Sequence, residues 1–431
     1  MRMKKIDSFL KIILISIIIL IIKLKGNKDI INFSKEEINY NNYSDKESLL
    51  FYSNKPENYS RNEFHIKNIK YNYTLNDLIN SKNEVNKYIN INKNDIIDNN
   101  YKQVINPKIS LIITLYNQEK FIPIIYYSIL KQTFKEIEII FINDGSDDNP
   151  YDIIEKYMSK DKRIIYKENK INKGAFYSRI QGIKFAKGEY ILILDSDDFI
   201  VNDILKKLYE TSKKFKLDIL QFYMLIKNKK AYKAWTIMKY KSGILYQPQI
   251  KDIFYYSITR NIADKFVRRD IFLKSLDLID EKFRSERFFV HDDDILFFGL
   301  IRVANSYGFL ENIGYYYRLD NPNSRMKILH FSNNTNKVFR SLFSIMEYYL
   351  EKSDNNSFEK KLIAYNFFQN KVNNKFQKDI DYLTGEFEYI IKVLNLYLNC
   401  PFFDKKQKKY LHLFKKKIQN RRMRLKINKK F

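Results

Sequence analysis

The residues of this chain best suited to chemistry are acids crowded at the ends of apolar runs. The stretch "GEYILILDSDDFI", Gly188–Ile200, ends in Asp195, Asp197 and Asp198. Neighbouring carboxylates repel, so something must offset them. Asp197 or Asp198 can cap the next helix by accepting N–H bonds, but a cap uses one acid, not three. A hard divalent cation such as Mg2+ or Mn2+ takes one or two carboxylates and completes its shell with water and substrate phosphates. An Asp-x-Asp pair then offers one carboxylate to the metal and the other to a sugar or a water ligand, with Asp198 mainly supporting the turn. In "INDGSDD", Asp144 stands at a second tip where Gly145 permits a tight turn, and a simple Asx-turn is the plain alternative. "HDDD" sets His291, Asp292, Asp293 and Asp294 before the apolar helical pattern "ILFFGLIRVA". Acids at that place complement a helix dipole. They also provide a general base for an attacking hydroxyl, because crowded acids raise the pKa of at least one of them. His291 is the second candidate base.

Such tips need elements to hold them. From Pro107 onward the chain reads as alternating strands and helices. "KISLIITLY", "EIEIIFIND", "RIIYKE" and "EYILILD" are strand runs, and "NQEKFIPIIYYSILKQTF" and "NKGAFYSRIQGIKFAKG" are helical. This alternation predicts a parallel α/β sheet, in which ligands bind beyond the carboxyl ends of the strands. Tyr116 and Asn117 follow the first strand, Asp144 the second, and Asp195 and Asp197 the fourth, so the candidate residues converge on one edge. No G-x-G-x-x-G or G-x-x-x-x-G-K-[ST] pattern occurs, which leaves dinucleotide and P-loop folds unsupported. No G-x-S-x-G elbow supports a serine hydrolase. Cys400 is the only cysteine, which leaves no Cys-based metal cluster, and the four histidines form no His-x-x-x-His pair, which argues against a zincin-like site.

In this order "SLIITLYNQEKFI", "EIEIIFINDGSDDN", "NKGAFYSRIQGIKFAKGEYILILDSDD" and "FFVHDDDILFFGLIRVANSYGFLENIGYYYR" resemble family-two glycosyltransferases over roughly residues 107 to 320. The resemblance implies a GT-A Rossmann-like nucleotide-diphospho-sugar transferase fold. It also implies inverting transfer of a sugar from a nucleotide-diphosphate donor, assisted by a divalent metal. The donor it points to is a UDP-sugar and the acceptor a hydroxyl on a glycan, protein or lipid. By position, Thr114, Tyr116 and Glu119 would line the donor-nucleotide pocket, and Asp144 would read the base. Gly174 and Arg179 would run beside the nucleotide. Asp195 and Asp197 match the outer members of the Asp-x-Asp motif, with Asp197 the metal ligand, and Asp293 matches the catalytic base. Asn143, Ile180 and Asp292 depart from the residues common in the family. The first two leave open a non-catalytic nucleotide-sugar-binding homologue. Lys265, Arg268 and Arg269 are either near the diphosphate or, the reading favoured, a solvated helix face. Trp235 has a packing role or a sugar-stacking role.

The net charge of +27 raises a basic nucleic-acid-binding protein as a rival. Lysines spread along the whole chain and no recognisable module supports it, so no nucleic acid is expected. The tail "FDKKQKKYLHLFKKKIQNRRMRLKINKKF" reads as a basic helix or a disordered segment. The apolar run Ile12–Ile22, flanked by Lys11 and Lys23, reads as an uncleaved signal anchor. This gives an expected single-pass membrane protein of the endoplasmic reticulum or Golgi with a lumenal catalytic domain. Sequons at Asn32, Asn42, Asn58 and Asn72 fit a lumenal stem. The expected organisation is a signal anchor at 1–26, an Asn/Lys-rich stem at 27–105, a catalytic domain at 106–330 and a helical basic C-terminal extension at 331–431.

Overall fold

The computed structural model describes residues 100–201, 203–227, 232–234, 243–247, 250, 260–318, 321, 334–352, 383–399 and 405–428. The expected anchor, most of the stem, Trp235 and Cys400 lie outside them. No helix among the described residues is long and apolar enough to cross a membrane. On that finding the membrane partner, the signal-anchor and single-pass assignments, and the lumenal placement in the endoplasmic reticulum or Golgi are unsupported and are withdrawn. The run Ile12–Ile22 is in any case short against the roughly 20 apolar residues that a spanning helix needs.

Four strands carry the first half of the fold: β1 (Ile109–Leu115), β2 (Ile137–Asn143), β3 (Ile164–Glu168) and β4 (Tyr190–Asp195). They lie parallel in the order β3-β2-β1-β4. Every residue of β2 is buried, as expected of a strand covered on both faces. Glu138 is tolerated there because its Oε1 accepts from the Ser110 hydroxyl and from the backbone N–H groups of Lys187 and Gly188. The register places Leu115 beside Asn143 and Thr114 beside Asp195. The three strands therefore end level, which brings their following loops to one edge. Helices α1 (Ile122–Leu130), α2 (Pro150–Lys160) and α3 (Ala175–Phe185) supply the crossovers. Tyr101 is already tied to this unit, since it exchanges backbone hydrogen bonds with Lys160 and Lys162, and the Arg163 guanidinium lies 3.7 Å from its ring.

Beyond β4 the sheet is mixed, which the sequence reading did not anticipate. β5 (Phe199–Ile200) is followed by α4 (Ile204–Phe215), β6 (Ile219–Lys227), β7 (Tyr232–Ala234), β8 (Gly243–Tyr246) and β9 (Lys265–Arg268). Strand β9 lies antiparallel between β4 and β6. Then come α5 (Arg269–Asp277), α6 (Glu281–Arg284), α7 (Asp292–Val303) and β10 (Ser306–Tyr317), which runs parallel to β6.

The supposed solvated helix face at 265–269 is corrected by this topology. Lys265 is fully buried in β9, with its ammonium on Asp264 and the Asn261 carbonyl and 4.6 Å from the Phe297 ring. Arg268 pairs with Asp218 and Asp270. A buried lysine is stable only where paired and hydrogen-bonded, and each of these cations is committed within the fold.

Three helices complete the described chain: α8 (Thr335–Lys352), α9 (Phe387–Leu398) and α10 (Lys405–Asn428). Tyr348 and Tyr349 of α8 pack their rings on Phe298 of α7. The basic tail is thus a helix, anchored through buried Leu411, Phe414 and Ile418.

Candidate active site

The loops after β1 and β2 are stitched together by side chains. Asn117 has a left-handed backbone, φ 54°, which Asn tolerates better than most residues. Its amide nitrogen donates to Asp147 at 3.1 Å, and its side-chain oxygen accepts the Asp147 backbone N–H at 2.8 Å. The Glu119 backbone N–H donates to Asp148 at 2.8 Å. This lattice presents Tyr116 outward, 40% exposed. Thr114 stands half-buried beside Asp195. Asn143 fills the turn from within. It donates to Tyr166 and Glu168 and accepts from Ser146, so this departure from the family pattern serves local structure.

Asp144 is buried and its carboxylate is occupied by protein. Oδ1 accepts from the Asn169 side chain and the Lys173 N–H, each at 2.9 Å, and Oδ2 accepts the Gly174 N–H at 2.7 Å. Gly174 has φ +94°, a conformation that L side chains rarely adopt. Together they set where α3 begins, and hence where Arg179 points. Ile180, the next residue, is buried in the core.

Arg179 is the centre of the site. Its Nη2 donates to Asp195 at 2.9 Å and its Nη1 to Asp292 at 2.8 Å, and Nη1 also contacts Asp293. One guanidinium thereby joins the end of β4 to the first turn of α7. Burial works against its charge, but Asp293, Asp195 and Asp292 outweigh that and hold its pKa well above the ordinary value. Asp293 is pushed up to about 7: burial of the carboxyl and the negative Asp292, Asp195 and Asp294 outweigh the pull of Arg179. About a quarter of its side chain, 24%, remains open. The three acids also occupy the first turn of α7, where the helix dipole favours negative charge. His291 precedes them with φ 60° and its Nδ1 lies 4.0 Å from Asp294. Asp294, itself buried, in turn pairs with Arg260 at 3.2 Å.

Asp195, Asp197 and Asp198 separate into distinct environments. Asp198 is buried. It accepts from the Tyr315 hydroxyl at 2.6 Å and the Arg318 N–H at 2.8 Å, and burial with Asp197 and Asp195 nearby raises its pKa well above the usual range. It is the tie between this turn and β10, and neither it nor Asp197 caps α4. Asp197 accepts from the Asn321 amide at 2.6 Å, and burial raises its pKa. No group of three or more His, Cys, Asp or Glu placed to hold a metal exists among the described residues. Asp195 and Asp197 do supply hard oxygen donors on one turn. The raised pKa of Asp197 means that its anion lacks sufficient compensation. A divalent cation completed by phosphate oxygens and water fits that donor set.

The structure thus brings Asp195, Arg179 and Asp293 into direct contact, places Asp197 on the same turn and Thr114 next to Asp195, and uses Asp144 and Gly174 to position the approach. Tyr116 and Glu119 belong to the neighbouring loop lattice. Tyr315, Asn321 and Arg260 escaped the sequence reading. Tyr315 lay in a recognised motif, "GYYYR", whereas a lone Asn in an Asn-rich chain gives no signal.

Residues 110–276 match the model of Glycosyl transferase family 2. Glycosyltransferase GlyG of Streptococcus pneumoniae serotype 4 is 39% identical over 114 residues, which are 26% of this chain and 37% of that protein. The uncharacterized glycosyltransferase EpsJ of Bacillus subtilis is 31% identical over 228 residues, 52% of this chain and 64% of that protein. The chain therefore spans less than two thirds of either relative. The crystal structure of S. aureus TarS 1-349 in complex with UDP-GlcNAc superposes with a TM-score of 0.57 at 22% identity, covering 75% of this chain and 92% of that one. The fold is GT-A with a helical C-terminal region, and the domain at residues 110–276 belongs to glycosyl transferase family 2.

Proposed function

We propose that this chain is an inverting glycosyltransferase that moves a sugar from a UDP-sugar to a hydroxyl acceptor. The observation that carries the reading is the bridge from Asp195 through Arg179 to Asp293. It sets a carboxyl with a pKa of about 7, well placed for a general base at neutral pH, next to the Asp-x-Asp turn.

In a single displacement, the acceptor oxygen bonds to the anomeric carbon while the bond from that carbon to the diphosphate oxygen breaks. Asp293 takes the hydroxyl proton, and the departing diphosphate carries away the electron pair. Tyr116, Thr114 and Glu119 frame the nucleotide, with Tyr116 offering an exposed ring to the base. Asp144 and Gly174 hold the loop that passes the nucleotide. Asp197, with Asp195 beside it, would hold Mn2+ or Mg2+, which when bound neutralises diphosphate charge. TarS, a structural neighbour, is seen with UDP-GlcNAc, and this supports the donor class. Residues 106–330 form the catalytic domain in this reading, and 331–431 the extension.

The test is release of UDP from a panel of UDP-sugars in the presence of Mn2+, alongside calorimetric titration of UDP with Mn2+ into wild type and Asp197→Ala. Donor consumption by the wild type and loss of metal-dependent UDP binding in Asp197→Ala are expected. If no nucleotide sugar is consumed and UDP binds equally to both proteins, the reading fails.

A further inference from the structure

The segment that leads into α7 has no regular structure of its own to fix where Asp293 stands. Residues 285–291 belong to no helix or strand, and His291 enters α7 with φ 60° and no side-chain cap. The acids that follow repel one another and Asp195, so their place depends on what holds the backbone before them. Two helices hold it. On one side lies α3. The Arg287 Cγ comes within 3.3 Å of where a Cβ on Gly174 would stand, and buried Phe288 packs edge-on against Phe176 at 5.1 Å. On the other side lies α8. Buried Ser341 donates its hydroxyl proton to the Lys337 carbonyl at 2.9 Å, one turn back. Its lone pairs then face the Phe289 N–H, which donates to Oγ at 2.7 Å. Arg340, the residue before, sets Nε and Nη2 on the Glu286 carboxylate at 3.1 and 3.2 Å. Lys337 Nζ lies 5.7 Å from the Phe289 ring.

Resting on the transferase reading above, we infer that Ser341 of the helical extension is a positioning residue for Asp293. It fixes the backbone at Phe289, four positions before the base, and Arg340 steadies the same segment through Glu286. Apolar packing already seats α8 against this region, since Tyr348 packs edge-on against Phe283 and Phe298. Such packing is non-directional, whereas a hydrogen bond to a backbone N–H sets both distance and angle. A general base must stand within hydrogen-bond reach of the proton it takes. The extension is in this account part of the catalytic unit, and the bond from Phe289 to Ser341 is where it acts.

The experiment compares the full chain with Ser341→Ala, which removes the acceptor and little volume. The first readout is amide hydrogen exchange by mass spectrometry. Peptides covering residues 285–293 should exchange roughly 5-fold faster in the variant, as expected for the loss of one net hydrogen bond, while peptides of β1 to β4 stay as they were. The second is UDP release from the UDP-sugar that the wild type consumes, with calorimetric titration of UDP and Mn2+ beside it. The variant's kcat should fall ~10–100-fold, the cost of about an ångström of misplacement. Its KM and its Kd for UDP with Mn2+ should stay within about twofold of wild type, since donor binding does not use the base. Phe414→Leu is the control for stability. It loosens α8 against α10, where the Phe343 and Phe414 rings stand 6.4 Å apart, without removing a bond to the segment, and should leave kcat unchanged. Should Ser341→Ala melt far below wild type, Glu286→Ala is measured by the same criteria, since it frees the segment from Arg340. Unchanged exchange overturns the inference. So does wild-type turnover in Ser341→Ala, a loss confined to KM or UDP binding, or an equal fall of kcat in Phe414→Leu. In each of those cases the wild type still consumes donor, and the transferase reading stands. A wild type that consumes no UDP-sugar sinks the transferase reading and this inference with it.

Discussion

The β4–α7 rim and the interior of the helical extension both bury carboxylates, yet they treat them in opposite ways. At the rim, Asp195, Asp292 and Asp293 share one cation, Arg179, and Asp293 is raised to about 7. In the extension, Glu347 alone receives the Tyr389 hydroxyl at 2.7 Å and the Lys392 ammonium at 3.3 Å, with Lys282 at 3.9 Å. Burial pushes Glu347 up, but these partners outweigh it and hold the carboxyl below its ordinary value. The ratio of acids to donors, not burial alone, sets the direction. An excess of acid is costly to a fold, and on the proposed function the rim is where stability is given up for chemistry.

The sharpest way to break the comparison is Asp293→Asn. The amide keeps the shape but cannot take a proton, so transfer should fall ~10²–10⁴-fold while UDP binding persists. Stability should move the other way. A carboxyl whose folded pKa is raised binds more protons folded than unfolded, so its contribution declines as pH rises from 3.8 toward about 7. Above that window the Asn variant should melt at or above the wild-type temperature, and wild-type kcat/KM should climb with pH through about 7. A variant that transfers normally, or a flat pH profile, would show that Asp293 is only a helix-dipole acid.

Next in size is Arg179→Met, which leaves the rim carboxylates without their shared cation. Removing one partner of a buried ion pair costs about 3–5 kcal/mol, and the Arg179 side chain is only 6% exposed. Urea unfolding at pH 8 and pH 5 should show the larger loss at pH 8, since protonated acids no longer need the cation. A loss independent of pH would mean that packing, not charge, is what Arg179 supplies.

Asp198→Ala follows. The sequence reading gave Asp198 a minor turn-supporting role, whereas the structure makes it the buried acceptor for Tyr315 and the Arg318 N–H. Leaving buried donors without an acceptor costs ~1–3 kcal/mol each, so a loss of about 2–3 kcal/mol is expected, with Asp198→Asn milder. A thermal melt like that of wild type would return Asp198 to its minor role.

These contrasts also explain what was legible in the sequence. Strands β1, β2 and β4 were readable because strands buried on both faces are continuous apolar runs, and their tips announced the acids. Strand β9 was not, because Lys265 in "KFVR" looks like a solvated residue until Asp264 and the Asn261 carbonyl are seen around it. The Arg179–Asp292 contact spans 113 positions, and no local spacing encodes it. Asn321 reaches Asp197 across 124 positions. The motifs named the participants at the rim. Arg179 was among them, but the contacts by which it joins these acids, and those that hold Asp197 and Asp198, arise from tertiary structure alone.

The smallest expected effect tests the other side of the comparison. Glu347→Gln keeps an acceptor for Tyr389 but loses the charge that Lys392 and Lys282 face. Both lysines are about half or more exposed, and exposed pairs contribute little. The hydrogen bond from Tyr389 to a charged acceptor is the larger part, so the variant should lose only about 1 kcal/mol at pH 7. The pH dependence carries the information. A carboxyl with a lowered folded pKa contributes stability above its unfolded value and loses it as pH falls through the folded one. The gap between wild type and Glu347→Gln should therefore be full at neutral pH and close on acidification. The gap between wild type and Asp293→Asn should run with the opposite slope, and mainly between pH 3.8 and about 7, above the window of Glu347. Both are measured by urea midpoints from pH 3 to 8. If the two gaps change in the same direction, the number of donors per acid does not govern these carboxyls, and burial alone must account for both regions.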